Sequence, residues 1–252
     1  MKSGTAKFYG VFYKGVTDAV RRCEFLGGVL LSASSRVVDV SAGVGDLAFE
    51  LARRGHQVLG FEPCGEIYTV LFDRYARQPD IRHLVTLFPS RFEDYPLDPQ
   101  ADLVIASNHW SHLGPEEGAP LLRRVHDGLR GGGLLVMNCV QETPLRRDQP
   151  WAEVQKRVFG EMTIRHFASS TGLAGTSSQR IRFEFRLEHE GRHVHTESSE
   201  FHLTMTSPED VRRMLTQAGF GNIRIRGGYA DVEYDSSSPG FVVMAEKVPE
   251  EA

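Results

Sequence analysis

Val37-Val38-Asp39-Val40-Ser41-Ala42-Gly43-Val44-Gly45-Asp46 is the stretch that decides the fold. An apolar run ends in a carboxylate and is followed by small residues and two glycines. Leu47, Ala48, Leu51 and Ala52 then recur on one face of an amphipathic segment. That order reads strand, tight turn, helix. Glycines let a backbone come close to a ligand, and a helix N-terminus presents N–H groups without partners in the helix. The turn is therefore a nucleotide-binding device, and its neighbours must say which nucleotide.

Working outward, residues from about 5 to 33 read as helical, with Phe8, Val11, Phe12, Val16, Val20, Phe25 and Leu26 recurring at helical spacing. After the opening strand and helix (37–40 and 46–54), 57–61 is a second apolar run ending at Glu62, with a helix over 65–77. Strands follow at 84–88, 101–106 and 134–139, the last preceded by a helix over 120–129 that Gly131-Gly132-Gly133 stops. Apolar runs alternating with helices, with little alternation inside each run, predict a parallel sheet covered on both faces. The pattern breaks after Gln141. Residues 144–178 are polar and give no clear element. Residues 180–189 and 192–204 alternate with period two about Glu190-Gly191, which predicts a half-buried antiparallel hairpin. Ser207-Pro208-Glu209-Asp210 starts a helix that ends at Ala218-Gly219-Phe220, and short strands follow at 223–225 and 241–246. The expected architecture is a doubly wound, Rossmann-like α/β sheet of seven mostly parallel strands. An antiparallel hairpin roof is inserted before the last helix. Residues 1–252 form one domain, with 1–33 as a helical lid and 144–204 as the cover of the substrate.

Length and composition agree with that reading. The chain has 252 residues, 40% hydrophobic and 25% charged, enough for one large domain with a core. A net charge of −4 gives no electrostatic case for nucleic acid or an anionic membrane. Cys23, Cys64 and Cys139 are scattered and odd in number, which fits a reducing cytoplasm and suggests no structural metal. No apolar signal region or membrane-length apolar run is expected from the sequence.

Gly43-Val44-Gly45-Asp46-Leu47-Ala48 by itself also fits G-x-G-x-x-A, so the glycines alone do not separate a dinucleotide from other adenosyl ligands. Asp39 discriminates. It ends the first strand, where a dinucleotide fold wants an apolar residue, and a carboxylate there can meet a cationic ligand. Glu62 lies 19 residues beyond Gly43, at the end of the second strand, where a bidentate acceptor can take both hydroxyls of an adenosine ribose.

With those residues in place, the chain resembles the class I S-adenosylmethionine-dependent methyltransferases, of the type that acts on nitrogen or oxygen of small molecules. Asp39-Val40-Ser41-Ala42-Gly43-Val44-Gly45 is similar to the family's D-x-G-x-G-x-G, and Glu62-Pro63 to its ribose-binding acid. Arg91-Phe92-Glu93-Asp94-Tyr95-Pro96 resembles a segment whose start contacts the adenine. Ala101–Ile105 with Asn108-His109-Trp110-Ser111-His112-Leu113 looks like the fourth-strand motif, Leu129–Gly133 like the turn before the fifth strand, and Ala218-Gly219-Phe220 like the end of the last helix. The resemblance covers roughly residues 5–142 and 205–247. It implies S-adenosylmethionine as cofactor, bound by Tyr13, Asp39, Ser41, Ala42, Gly43, Gly45, Glu62, Pro63, Arg91, Phe92 and Asn108. It also implies a small-molecule acceptor met by Tyr9 and Trp110, as in natural-product or amino-sugar biosynthesis, and a monomer or homodimer.

Two positions depart from the family pattern. Ser41 stands where the family has its first glycine, and Arg91 where it has an acid at the adenine. A general base is needed only when the nucleophile arrives protonated. His109 and His112 follow the fourth strand at its carboxyl end and either can serve, with His109 placed slightly ahead. Two other functions fit parts of the same sequence. One is an NAD(P)-dependent oxidoreductase; the other is a homologue that binds the cofactor without methylating. His193, His195 and His202 on the hairpin are read as exposed strand residues rather than a metal site.

Overall fold

The computed structural model describes residues 8, 16–28, 34–95, 101–107, 109–113, 116–141, 148–230, 232–238 and 240–248. A helix, α1 (Val16–Gly27), is followed by β1 (Arg36–Asp39), α2 (Asp46–Arg53), β2 (Gln57–Phe61), α3 (Gly65–Ala76), β3 (Val85–Phe88) and β4 (Ala101–Ala106). Then come α4 (Gly118–Gly128), β5 (Leu129–Val140), β6 (Asp148–Phe159), β7 (Met162–Gly172), β8 (Ser178–His189) and β9 (Arg192–Thr204). The chain closes with α5 (Pro208–Gln217), β10 (Phe220–Arg226) and β11 (Gly240–Lys247).

Seven strands form one sheet in the order β10-β11-β5-β4-β1-β2-β3. The strands from β1 to β5 pair in parallel, and β11 runs antiparallel to both of its neighbours. Both faces are covered, which is why the strands read as unbroken apolar runs. Val38, Val40 and Val104 pack with Leu121, Leu122 and Val125 of α4 and Val211 and Leu215 of α5. Val37, Leu103 and Ile105 face the other way, onto Cys23 and Leu26 of α1, Phe49 and Leu51 of α2, and Leu71 of α3. The glycine triplet plays another part than the expected helix stop. Helix α4 already ends at Gly128, and β5 begins at Leu129. Residues 130–133 bulge out of the ladder between the pairs Ala101↔Leu129 and Leu103↔Leu134, and Gly132 takes a φ of 74° there.

The expected hairpin is half of a larger unit. Strands β6-β7-β8-β9 form a second, four-stranded antiparallel sheet. On its inner face Ile164, Phe183 and Phe185 pack with Phe8, and Ala168, Leu187 and Phe201 flank them. Ion pairs cover its outer face, including Arg165 with Glu153 (2.8 Å) and Glu188 (3.1 Å). Thr204 Oγ1 donates to the Leu113 carbonyl (2.9 Å), which ties this sheet to the loop after β4. No helix among the described residues is long and apolar enough to cross a membrane.

Candidate cofactor and acceptor site

Strand β1 lies between β2 and β4, so the chain winds outward from it in both directions. The crevice at such a switch point, beyond the carboxyl ends of the strands, is where open α/β sheets take ligands. The turn after β1 is pinned on both sides: Val40 N–H donates to the Ile105 carbonyl (3.0 Å) and Ala42 N–H to the Phe61 carbonyl (2.8 Å). Ser41 Oγ donates to the Ser107 carbonyl (2.7 Å), joining the turn to the end of β4. Its φ is not positive, so this position does not require glycine. Gly43 and Gly45 do need to be glycine, at φ 58° and 86°. A Cβ on Gly45 would sit 2.6 Å from Leu71 and Phe49, whereas one on Gly43 would meet nothing within 4 Å. Gly45 is thus a packing glycine, and Gly43 faces open space where a ligand can lie against backbone.

Two buried carboxylates flank that space. Asp39, 2% exposed, accepts from Ser41 N–H (3.3 Å). Burial pushes its pKa up to about 6, against the Ser41 hydrogen bond and the charge of Arg22, while Glu62 adds to the rise and His109 opposes it. Glu62 accepts from Gly43 N–H (3.2 Å) and Cys64 N–H (2.8 Å), and burial raises it despite those bonds. Glu62 is thereby aimed at the glycine turn from the next strand.

Beyond β3, Phe92 is fully buried edge-on to Phe61, and Arg91 is exposed with its guanidinium 3.2 Å from Glu117 and 3.4 Å from Glu93. Arg91 is thus held by those two carboxylates. Glu93 Oε1 also lies 3.4 Å from His109 Nε2, while Glu93 Oε2 is buried and has no side-chain or neighbouring partner among the described residues. Burial alone would raise Glu93, but the hydrogen bond from His109, its own backbone N–H, the His109 charge and Arg91 together bring it down to about 2.

The two histidines diverge. His109 is engaged with Glu93. His112 reaches the four-stranded sheet, its ring 5.3 Å from Phe201. Its ring is water-accessible but lies in a crowded crevice, and that burial, then the charge of His109, lowers its pKa. Trp110 is not placed as a substrate wall. Its ring is 5% exposed in the core, packed under Gly118, with Nε1 donating to Thr206 Oγ1 (3.2 Å). Pro63 is exposed, and Ala42 is buried within the turn. Tyr9, Tyr13 and Asn108 lie outside the described residues. His193 and His195 are exposed and bonded to Thr196 and Glu197, and no metal-binding cluster occurs among the described residues.

The sequence reading missed a polar cluster at the other end of the crevice. The Tyr229 hydroxyl lies 2.8 Å from Ser107 Oγ and donates to Asn138 (3.4 Å), with Arg22 of α1 stacked 4.8 Å over its ring. Nothing in the spacing links residues 22, 107 and 229; only the fold brings them together.

An open backbone at Gly43 and two buried carboxylates, Asp39 and Glu62, are what an adenosyl ligand with an ammonium and two ribose hydroxyls would use, so the residues present fit S-adenosylmethionine. The comparisons agree. Residues 37–133 match the methyltransferase domain family. An uncharacterized methyltransferase of Mycobacterium bovis is 34% identical over 113 residues, 44% of this chain and 42% of that protein. The chain spans about half the length of the curated relatives it matches. Among solved structures, the CcbJ methyltransferase of Streptomyces caelestis superposes with a TM-score of 0.81 at 20% identity, over 98% of this chain and 97% of that one. CalS10 of Micromonospora echinaspora, an amino pentose methyltransferase solved with S-adenosylmethionine, gives 0.73 at 18% identity, over 95% and 96%.

Proposed function

We propose that this chain, whose core is a class I S-adenosylmethionine-dependent methyltransferase domain, transfers the methyl group to a nitrogen or oxygen of a small polar metabolite. The observation that carries the reading is the pair of buried carboxylates, Asp39 and Glu62, on either side of the open turn at Gly43. The bound cofactor supplies an electrophilic methyl carbon on a sulfonium. Asp39 would hold the ammonium of the methionine part, Gly43 would let the backbone lie against it, and Glu62 would accept from the ribose hydroxyls. A dinucleotide would bring a pyrophosphate to the same turn, where Asp39 would repel it, so the oxidoreductase reading is disfavoured.

Displacement at a methyl carbon mainly requires alignment and exclusion of water. The four-stranded sheet serves as the roof over the acceptor. Between roof and crevice, His112 is the group available to take a proton from the nucleophile: it is accessible, and its lowered pKa keeps the ring neutral. His109, held by Glu93, is the positioning partner on the base side. The amino pentose activity of CalS10 makes amino sugars the first acceptors to try.

Calorimetry with S-adenosylhomocysteine tests the cofactor site. Glu62→Ala should weaken binding by about 1.5–3 kcal/mol, the cost of losing a charged acceptor. Unchanged affinity would remove the ribose assignment. Tight binding without turnover on a broad panel of amino sugars and hydroxylated metabolites would favour a homologue that does not methylate.

A further inference from the structure

The cofactor site uses Glu62, at the end of β2, and leaves the helix that follows it without a part. One face of α3 is nonetheless given over to the glycine turn. Ile67, Val70, Leu71 and Arg74 recur along it at helical spacing. Ile67 packs on Val44, with Val70 beside them. Leu71 lies 2.6 Å from where a Cβ on Gly45 would fall. Arg74 completes the row with its guanidinium. Nη1 donates to the Val44 carbonyl (2.5 Å) and Nη2 to Asp46 Oδ1 (2.6 Å). The same guanidinium lies 5.7 Å over the ring of Phe49, the other neighbour of Gly45. The Arg74 side chain is 25% exposed and that of Asp46 16%, so this is not a solvated surface pair.

The turn needs such a hold. Val44 stands between Gly43 and Gly45, at φ 58° and 86°, and glycine gives a backbone more states to lose than any other residue. A peptide free to rotate there would have to be ordered by any ligand laid against it, at a cost to affinity. Arginine suits the task because its planar fork bonds two acceptors from one rigid group. Neighbouring groups of the turn are thus held from both ends of α3. Glu62, just before the helix, takes Gly43 N–H (3.2 Å), and Arg74, in its last turn, takes the Val44 carbonyl.

We propose that Arg74 is the positioning residue of the cofactor turn. By fixing the Val44 carbonyl from behind, it presets the Gly43 backbone for the amino-acid half of S-adenosylmethionine. It acts through the turn and not by touching the ligand. This role rests on S-adenosylmethionine being the ligand of that turn, as proposed above. The ligand should then divide: its amino-acid half depends on Arg74, whereas its adenosine half depends on Glu62 and not on Arg74.

Calorimetry on the full chain tests this with two probes, S-adenosylhomocysteine and 5′-methylthioadenosine, which lacks the amino-acid half. Arg74→Met keeps the stem and removes both hydrogen bonds. It should weaken S-adenosylhomocysteine about tenfold or more and leave 5′-methylthioadenosine within about twofold of wild type. Arg74→Lys keeps the charge but lacks the fork, so S-adenosylhomocysteine should bind about three- to fivefold more weakly than to wild type, with 5′-methylthioadenosine again unchanged. That variant carries the test should Arg74→Met fail to fold. Asp46→Ala leaves the bond to the Val44 carbonyl in place and should bind S-adenosylhomocysteine within about twofold of wild type. A general loosening of the fold would move both probes together. Equal losses for the two probes in either Arg74 variant would therefore overturn the role, as would full affinity for both. So would an Asp46→Ala variant as weak as Arg74→Met, because the ion pair and not the carbonyl would then set the affinity. A wild type that binds neither probe would overturn the cofactor reading itself, and the role of Arg74 with it.

Discussion

Gly43 and Gly45 occupy neighbouring left-handed positions in one turn, yet a methyl group would act differently at each. At Gly45 the new Cβ meets Leu71 and Phe49 at 2.6 Å, and φ is 86°. Gly45→Ala should therefore lower stability by roughly 2–4 kcal/mol, strain and overpacking combined, read as a large fall in melting temperature. At Gly43 there is no clash, so Gly43→Ala should cost only about 1 kcal/mol. It should nonetheless weaken S-adenosylhomocysteine binding tenfold or more, because the methyl fills the face along which the ligand lies. Equal stability losses in the two variants, with equal binding, would contradict this division. Asp39 and Glu62 were legible from sequence because a carboxylate closing an apolar strand is conspicuous where burial is costly. Ser41 was legible as a departure but not as a tie to Ser107, and Arg22 and Tyr229 gave no signal. Their proximity arises from the winding of the sheet, which no local spacing encodes.

The same contrast holds for whole elements. Helix α5 could be read almost to the residue because its start is specified by local chemistry. Ser207 Oγ accepts from Asp210 N–H (3.1 Å) and donates to its carboxylate (2.8 Å), with Pro208 in the first turn. Ser207→Ala should cost about 1 kcal/mol, measured by chemical denaturation, with the helix still formed because Val211 and Leu215 remain in the core. Strands β8 and β9 were legible through alternation, since one face of that hairpin packs and the other carries ion pairs. Strands β6 and β7 were not. Every residue of β6 is exposed, so there is no buried face for a period of two to record. On β7 the inward positions run Ile164, His166, Ala168 and Ser170, too mixed in polarity to stand out from their neighbours. His166 is stacked 4.7 Å from Phe185, and burial lowers its pKa. A histidine kept neutral by aromatic packing looks like a surface residue in the sequence.

At the scale of the molecule, the switch of winding direction at β1 puts Asp39 where no side chain of the sheet can neutralise it fully. Its pKa is raised from 3.8 to about 6, chiefly by burial. The sign of the consequence follows. The folded state prefers the protonated acid, so the stability tied to this group is complete below about pH 4 and is lost as pH rises through 6. Above that the ligand-free fold carries a buried charge worth about 3 kcal/mol against it. A ligand ammonium placed beside Asp39 reverses the preference and draws the proton off. Binding of S-adenosylhomocysteine should then strengthen from pH 5 toward pH 7, by up to about tenfold per pH unit below 6, and level off above. Calorimetry near pH 6 in buffers of different ionisation heat should show net proton release. Glu62 is raised by burial as well and contributes in the same direction, so the comparison with Asp39→Asn isolates the aspartate. That variant should melt higher than wild type without ligand at pH 7.5 and much less so at pH 5. It should also bind S-adenosylhomocysteine weakly, with most of the proton release gone. An unchanged proton count in Asp39→Asn would mean that the ammonium is met elsewhere, and the carboxylate that ends the first strand would then be a cost of the fold with no ligand to offset it.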